Sequence, residues 1–147
     1  TLTKPKIENT SKSLENNSDY YRGMEDLLLS KKSKKLLEKV TNYQIKSSDI
    51  SDSNMNLYEV EFKEGKNSMR VTYSRYGEIL KSAGTFQDVR LPYKISSGLA
   101  KDYPGWEFKN TWCYHSYDIE GNNTITYKVL LQKGNETKKV KINPQDY

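Results

Sequence analysis

Hydrophobic residues along the chain follow two different periods, and each period predicts a different kind of element. Between positions 24 and 40 they recur at three- and four-residue spacing, for example at Leu36, Leu37 and Val40, which predicts an amphipathic helix. From position 57 onward apolar and polar residues alternate one by one, which predicts β-strands with one apolar face. A helix followed by antiparallel strands is therefore the expected opening of the fold.

The order of a helix and then strands occurs twice along the chain. The strands predicted for the first unit span residues 43–50, 57–63, 69–73 and 79–83. The second unit begins with a helix whose apolar residues are spaced by four: Leu91, Ile95, Leu99 and Tyr103. Pro104 and Gly105 end that helix. The strands predicted after it span residues 106–117, 126–132 and 138–142.

An internal repeat relates the two units. Leu57–Tyr73 aligns with Thr126–Ile142 without a gap, at an offset of 69 residues, and Gly65 falls on Gly134. A matching hairpin behind a matching helix predicts a tandem repeat. Because each unit is too small to bury a helix stripe and a sheet face alone, we expect one shared antiparallel sheet. Both helices are expected on one face of it, with the other face open.

The second unit also carries the residues of a family resemblance: Asp88-Val89-Arg90-Leu91-Pro92, Lys101-Asp102-Tyr103-Pro104-Gly105-Trp106, Tyr127-Lys128-Val129 and Gly134. On these residues the chain resembles the PepSY-like family of small exported bacterial proteins, which is also described as beta-lactamase-inhibitor-like. The resemblance is strongest over residues 86–142, weaker over residues 24–84, and leaves residues 1–20 uncovered.

The resemblance implies an α+β fold of two tandem helix-plus-antiparallel-strand units, residues 23–84 and 85–147, with the helices packed on one face of a sheet. The first unit departs from the family pattern because it lacks the Pro-Gly-Trp step. The second unit departs because it has no clear counterpart of the strand over residues 79–83. Residues 1–22 carry few aliphatic side chains and are predicted to form a polar leader, extended or disordered.

A non-enzymatic protein of the periplasm or outer membrane is also implied by the resemblance, with protein binding as its role. We therefore expect a partner protein in the cell envelope, and no catalytic residues, no metal and no cofactor. The chain starts without Met, which fits an exported protein whose signal peptide has been removed. The N-terminal leader would then be a surface tail or a tether to the membrane.

Charge and composition narrow the class of partner. The 24 Lys and Arg residues exceed the 19 Asp and Glu residues, but they are scattered along the chain, which argues against nucleic acid. No run of 18 apolar residues is present, so no transmembrane helix is predicted. The single cysteine, Cys113, excludes an internal disulfide and fits both a reducing compartment and a periplasm.

Candidate chemistry is sparse. Cys113 and His115 are the only residues of their types, and in a strand they share a face. Two such ligands fall short of a zinc site, and a nucleophile would need an orienting third group, so we predict no chemistry for the pair. Glu59 and Glu61 are expected to be exposed beside Arg70, as cross-strand charge pairs rather than as an acid and a base.

The faces of the long strand over residues 106–117 decide where binding residues lie. Simple alternation places Trp112 and Tyr114 under the helices and His115 and Tyr117 on the open face. A bulge near Asn110 would reverse this assignment. Trp112 and Tyr114 would then become exposed binding anchors.

We therefore predict a non-catalytic protein-binding module of the bacterial envelope that uses the open sheet face. The residues predicted to carry the contact are Arg70, His115, Tyr117, Lys128, Lys139 and Lys141. One alternative is an inhibitor of a secreted or periplasmic hydrolase, whose hairpin tips at Gly65 and Gly134 or loop 119–124 would enter an active site. Another is an accessory structural subunit of an outer-membrane complex.

Overall fold

The computed structural model describes residues 17–24, 31–43 and 57–147. Residues 17–24 are helical and form α1. The other helices are α2, Lys31–Thr41, and α3, Tyr93–Asp102. The strands are β1, Leu57–Glu64; β2, Asn67–Ser74; β3, Ile79–Gln87; β4, Glu107–Asp118; β5, Asn123–Lys133; and β6, Glu136–Ile142. A 3₁₀ helix, Pro144–Asp146, follows β6.

The six strands form one antiparallel sheet in the order of the chain. The fold is therefore α+β, as predicted from the two periods. The strand predicted over residues 43–50 lies outside the described residues except for Tyr43, and so does the leader up to residue 16. Residues 17–22, predicted to be extended or disordered, are instead helical, because α1 has buried contacts on the sheet.

The β1–β2 and β5–β6 hairpins have the same geometry. Tyr58 pairs with Tyr73 in the first, and Tyr127 pairs with Ile142 in the second, which is the register that the offset of 69 residues requires. Each hairpin closes with a two-residue turn whose first residue is glycine with φ 60°. A glycine at this position suits the tight turns that match the twist of paired strands. The tandem PepSY-like arrangement of whole units stays a prediction.

One face of the sheet forms the core. Alternate residues of β2 and β5 are fully or almost fully buried on it: Met69, Val71, Tyr73, Tyr127, Val129 and Leu131. All three helices contribute buried side chains to the same cluster: Tyr20, Met24, Leu36, Leu37, Val40, Ile95 and Leu99. The Tyr73 hydroxyl also donates a hydrogen bond to the Val40 carbonyl oxygen at 2.6 Å, which ties α2 to the sheet.

Helix α1 is held on the sheet by long-range polar contacts. The side-chain amide of Asn17 donates to the Gly77 carbonyl at 3.0 Å, and its oxygen accepts from the Ile79 amide at 3.0 Å. The Tyr20 hydroxyl lies 2.7 Å from the Ser82 hydroxyl, and its ring packs edge-on against Tyr117. Burial raises the pKa of Tyr20, so the hydroxyl stays protonated and able to donate.

A β-bulge at Lys109 sets the faces of β4. Phe108 pairs with Leu131 and Asn110 pairs with Leu130, so Lys109 has no partner on β5. Because side chains alternate, one extra residue exchanges the two faces for the rest of the strand. Cys113, opposite Tyr127, therefore faces the core, and the expectation from simple alternation is wrong beyond this point.

We expect Gly84→Ala to destabilise the fold. A Cβ atom at position 84 would lie 2.7 and 2.9 Å from Cε2 and Cζ of Phe86, whose ring is fully buried and so cannot move aside into solvent. The free energy of unfolding, measured by urea denaturation, should fall by about 1–3 kcal/mol.

A double-mutant cycle with Phe86→Leu tests the cause. Leu removes the ring atoms that the new Cβ would meet, so the double variant should lose less stability than the sum of the two single changes. Additivity within about 0.5 kcal/mol would show that the two residues are not coupled, and would refute this packing account.

Candidate functional site

The open face is the side of the sheet opposite the core, and its centre carries an aromatic–lysine cluster of Trp112, Tyr114 and Lys128. The Lys128 ammonium nitrogen lies 4.7 Å from the centroid of the Trp112 ring and 5.5 Å from that of Tyr114. Trp112 and Lys128 are direct cross-strand partners, and both rings are half-buried. The cation–π contacts hold two large rings and one charge in a fixed arrangement on a flat surface.

A shallow groove of about 340 Å³ lies beside Tyr114. Its lining includes Glu61, Ser68, Arg70, Ala83, Thr85 and Tyr114. Three of these side chains are small and form a low floor, whereas Arg70 and Tyr114 are long and stand on either side. The groove can therefore receive one side chain of a partner, while the aromatic–lysine cluster provides the flat surface next to it.

The charges at the β1–β2 end of the open face compensate one another. Arg70 lies 3.3 Å from Glu59 and directly opposite Glu61 in the register, and Lys63 lies 3.6 Å from Glu61. These side chains are all well exposed, so each ion pair contributes little to stability. Electrostatically, this end of the face is a mixed surface without a dominant sign.

The structure divides the residues predicted for binding between the two faces. Arg70 lies on the open face, and so do Lys128 and its cross-strand partner Lys141. Lys139 pairs with Leu130 on the same face. The binding role of these four cations stays a prediction.

The prediction that His115 and Tyr117 lie on the open face is wrong. His115 is only 3% exposed and pairs with Ile125, and Tyr117 packs against Tyr20 of α1. The bulge at Lys109 is the physical reason, since it turns the odd-numbered residues of β4 beyond it toward the core. The same shift brings Trp112 and Tyr114 to the open face, which the sequence indicated only as an alternative.

Cys113 and His115 share the core face, where burial determines their chemistry. Burial raises the pKa of the Cys113 thiol to about 12, so at neutral pH it is protonated and weakly reactive. His115 Nε2 lies 2.5 Å from Asn123 Oδ1, whereas Nδ1 is buried without a hydrogen-bond partner among the described residues. The neutral ring that donates from Nε2 is the form that fits these contacts.

Among residues 17–24, 31–43 and 57–147, no three His, Cys, Asp or Glu side chains lie close enough together to hold a metal ion. In the same described residues, no helix is both long enough and apolar enough to span a membrane.

Comparison with protein-family models, curated proteins and solved structures finds no match for this chain. The resemblance to the PepSY-like family therefore stays a prediction that rests on the quoted residues alone.

We expect acid to destabilise the protein through His115, its only histidine. Burial lowers the pKa of this ring below its usual 6.5, an effect that the hydrogen bond to Asn123 offsets only in part. The unfolded chain therefore binds the proton first. The free energy of unfolding should fall as pH drops below about 6.5, by at most about 1.4 kcal/mol per pH unit.

Urea denaturation between pH 7 and pH 5 measures this dependence, with His115→Gln as the variant that cannot titrate. The variant should lose most of the slope over this range, because carboxylates with lowered pKa values such as Asp118 titrate at more acidic pH. Equal slopes for the native chain and the variant would contradict a neutral, buried His115.

Proposed function

We propose that this chain is a non-catalytic protein-binding module and that the open sheet face makes the contact. The observation that carries this proposal is the aromatic–lysine cluster, in which Lys128 lies over two half-buried rings on the face away from the core. Trp and Tyr are enriched among the residues that dominate binding energy at protein interfaces. The exposed parts of the Trp112 and Tyr114 rings are not explained by packing in the core.

The arrangement suits recognition by preorganisation. The rings project from the central part of an antiparallel sheet, so little side-chain freedom is lost when a partner packs on them. The groove beside Tyr114 offers a pocket for one anchoring side chain, and the neighbouring cations favour a partner with acidic groups. Such charges raise the association rate and orient the encounter more than they add affinity.

The proposed setting is the bacterial cell envelope, in the periplasm or at the outer membrane. The support for it is the resemblance to the PepSY-like family, whose members are exported. An accessory role in an outer-membrane complex is one form of the same proposal, because it needs the same protein-binding face.

A second candidate, inhibition of a hydrolase, is favoured by the β4–β5 loop. The Asp118 carboxylate accepts hydrogen bonds from the Glu120 amide at 2.9 Å and from the Asn122 side chain at 2.6 Å, which hold the loop in a compact turn. Ile119 is 49% exposed in this loop. A compact loop that presents one apolar side chain is suited to enter an active-site cleft.

Photo-crosslinking in cells of the source organism tests which surface meets a partner. A benzophenone amino acid is placed at Ser116 on the open face, at Ile119 in the loop, or at Lys94 on the exposed side of α3. We expect a discrete crosslinked protein from position 116. Adding Trp112→Ala and Tyr114→Ala should reduce that product about tenfold or more, because it removes the anchoring rings.

Position 94 is the matched control, since Lys94 is also exposed but lies on a helix. Circular dichroism and urea denaturation establish that the double alanine variant is folded. A product that survives the double substitution, or equal products from positions 116 and 94, would refute the open face as the binding surface. A product from position 119 alone would favour the inhibitor.

A further inference from the structure

The internal repeat allows the two ends of the open face to be compared position by position. At the offset of 69 residues, Glu59 corresponds to Lys128 and Arg70 to Lys139. The first hairpin therefore has a guanidinium beside a carboxylate, whereas the second has two ammonium groups. Lys141 adds a third at the position equivalent to Thr72. The same surface is neutralised in one repeat and strongly positive in the other.

Carboxylates of the described residues do not neutralise this positive charge. Lys128 and Lys141 are direct cross-strand partners, and like charges in this position destabilise a sheet. None of the ion pairs among the described residues involves Lys128, Lys139 or Lys141. The cation–π contacts of Lys128 stabilise that ammonium group, whereas none of the cation–π contacts among the described residues involves Lys139 or Lys141. An anionic group bound at the surface would neutralise these lysines.

The outer edge of β6 offers backbone groups at the same place. In the first repeat the equivalent edge, that of β2, is paired along Ser68–Tyr73 with β3. In the second repeat no described strand pairs with the outer edge of β6. After β6 the chain turns toward α3, where the Tyr147 hydroxyl donates to Asp102 at 2.9 Å, so the described residues that follow β6 do not pair with this edge. An unpaired edge is a template for an added strand.

Lysines on an edge strand also have a protective role, since they discourage two copies of a chain from pairing edge to edge. The same lysines therefore disfavour a second copy of this chain at the edge of β6 and favour an acidic strand there. Pairing β6 with β6 of a second copy would bring Lys139 and Lys141 of both copies together. An acidic strand would meet the same lysines with opposite charge.

We propose that the outer edge of β6 accepts an extended acidic segment of a partner protein as a seventh, antiparallel strand. Its backbone pairs with β6 as β3 pairs with β2. Its carboxylates, at every second position, lie on the open face beside Lys139 and Lys141. This inference deepens the proposed function, because it names the chemistry of the partner and the way in which the partner is held.

A synthetic peptide serves as the probe. It has seven residues in which Glu alternates with Val, blocked ends and a fluorescent label, and its binding to the full chain is measured by anisotropy. Two matched peptides separate the contributions. One carries N-methyl groups on alternate backbone nitrogens, which blocks strand pairing but keeps the charge, and the other has Lys in place of Glu.

The protein variants are matched in net charge. Lys139→Glu with Lys141→Glu reverses the charges beside β6, and Lys63→Glu with Lys81→Glu reverses two charges on the first-repeat half of the same face. We expect the first pair to weaken peptide binding about tenfold or more and the second by less than about threefold. N-methylation should also weaken binding about tenfold or more, because the added strand loses its hydrogen bonds.

Hydrogen exchange supplies an independent readout, since the peptide should slow exchange at β6 amides and not at β1. Several outcomes would overturn the proposal. Equal binding of the N-methylated peptide would indicate attraction by charge alone. Equal loss in both protein variants would indicate a general charge effect. Absence of binding would leave the lysines as edge protection only, and a dimer formed through β6 would make a second copy the occupant.

The test is separable from that of the proposed function. The Trp112→Ala and Tyr114→Ala variant should lose the crosslinked protein but keep the peptide within about threefold, because the rings lie on β4 and not on the edge strand. A crosslink at position 116 without peptide binding would support the open face as a binding surface and refute strand addition at β6. Peptide binding without a crosslink at position 116 would support strand addition at β6 and refute the open face as the binding surface.

Discussion

The β-bulge at Lys109, the unpaired residue of β4, determines which side chains of this strand lie on each face of the sheet. A shift of one residue exchanges inside and outside along a strand, and β4 crosses the middle of the sheet between β3 and β5. With the bulge, small Cys113 lies in the core opposite Tyr127, and the larger Trp112 lies outside. Without it, an indole and a phenol ring would enter a core that is already filled by close packing, and such overpacking is destabilising.

The two faces that result have different physical tasks. The core face binds three helices through apolar burial and through a few long-range hydrogen bonds, such as that from Tyr73 to the Val40 carbonyl. The open face keeps a feature that costs stability, namely the like-charged cross-strand pair Lys128 and Lys141. Natural sequences tend to keep such local conflicts where function requires them. We therefore propose that binding takes place on this face and not at the buried pair of Cys113 and His115.

Periodicity in the sequence predicted the elements well, because alternation and helical spacing are local properties. The hairpin turns at Gly65 and Gly134 and the shared register followed from the repeat. The face of β4 could not be predicted in this way, since a bulge depends on how Phe108 and Asn110 pair with the neighbouring strand β5, which alternation within β4 does not report. Helix α1 was missed for a related reason. Its polar composition gave no sign of the hydrogen bonds of Asn17, whose partners, Gly77 and Ile79, lie about sixty residues away along the chain.

The most direct test of this account is the accessibility of thiols along β4. The native chain has Cys113 as its only thiol, and the variant Cys113→Ala with Ser116→Cys moves that thiol to the open face. The account predicts that the thiol at position 116 reacts with iodoacetamide within about tenfold of a free peptide thiol. Cys113 should react only as fast as the chain unfolds. Rapid reaction of Cys113 together with protection at position 116 would contradict the assignment of the two faces.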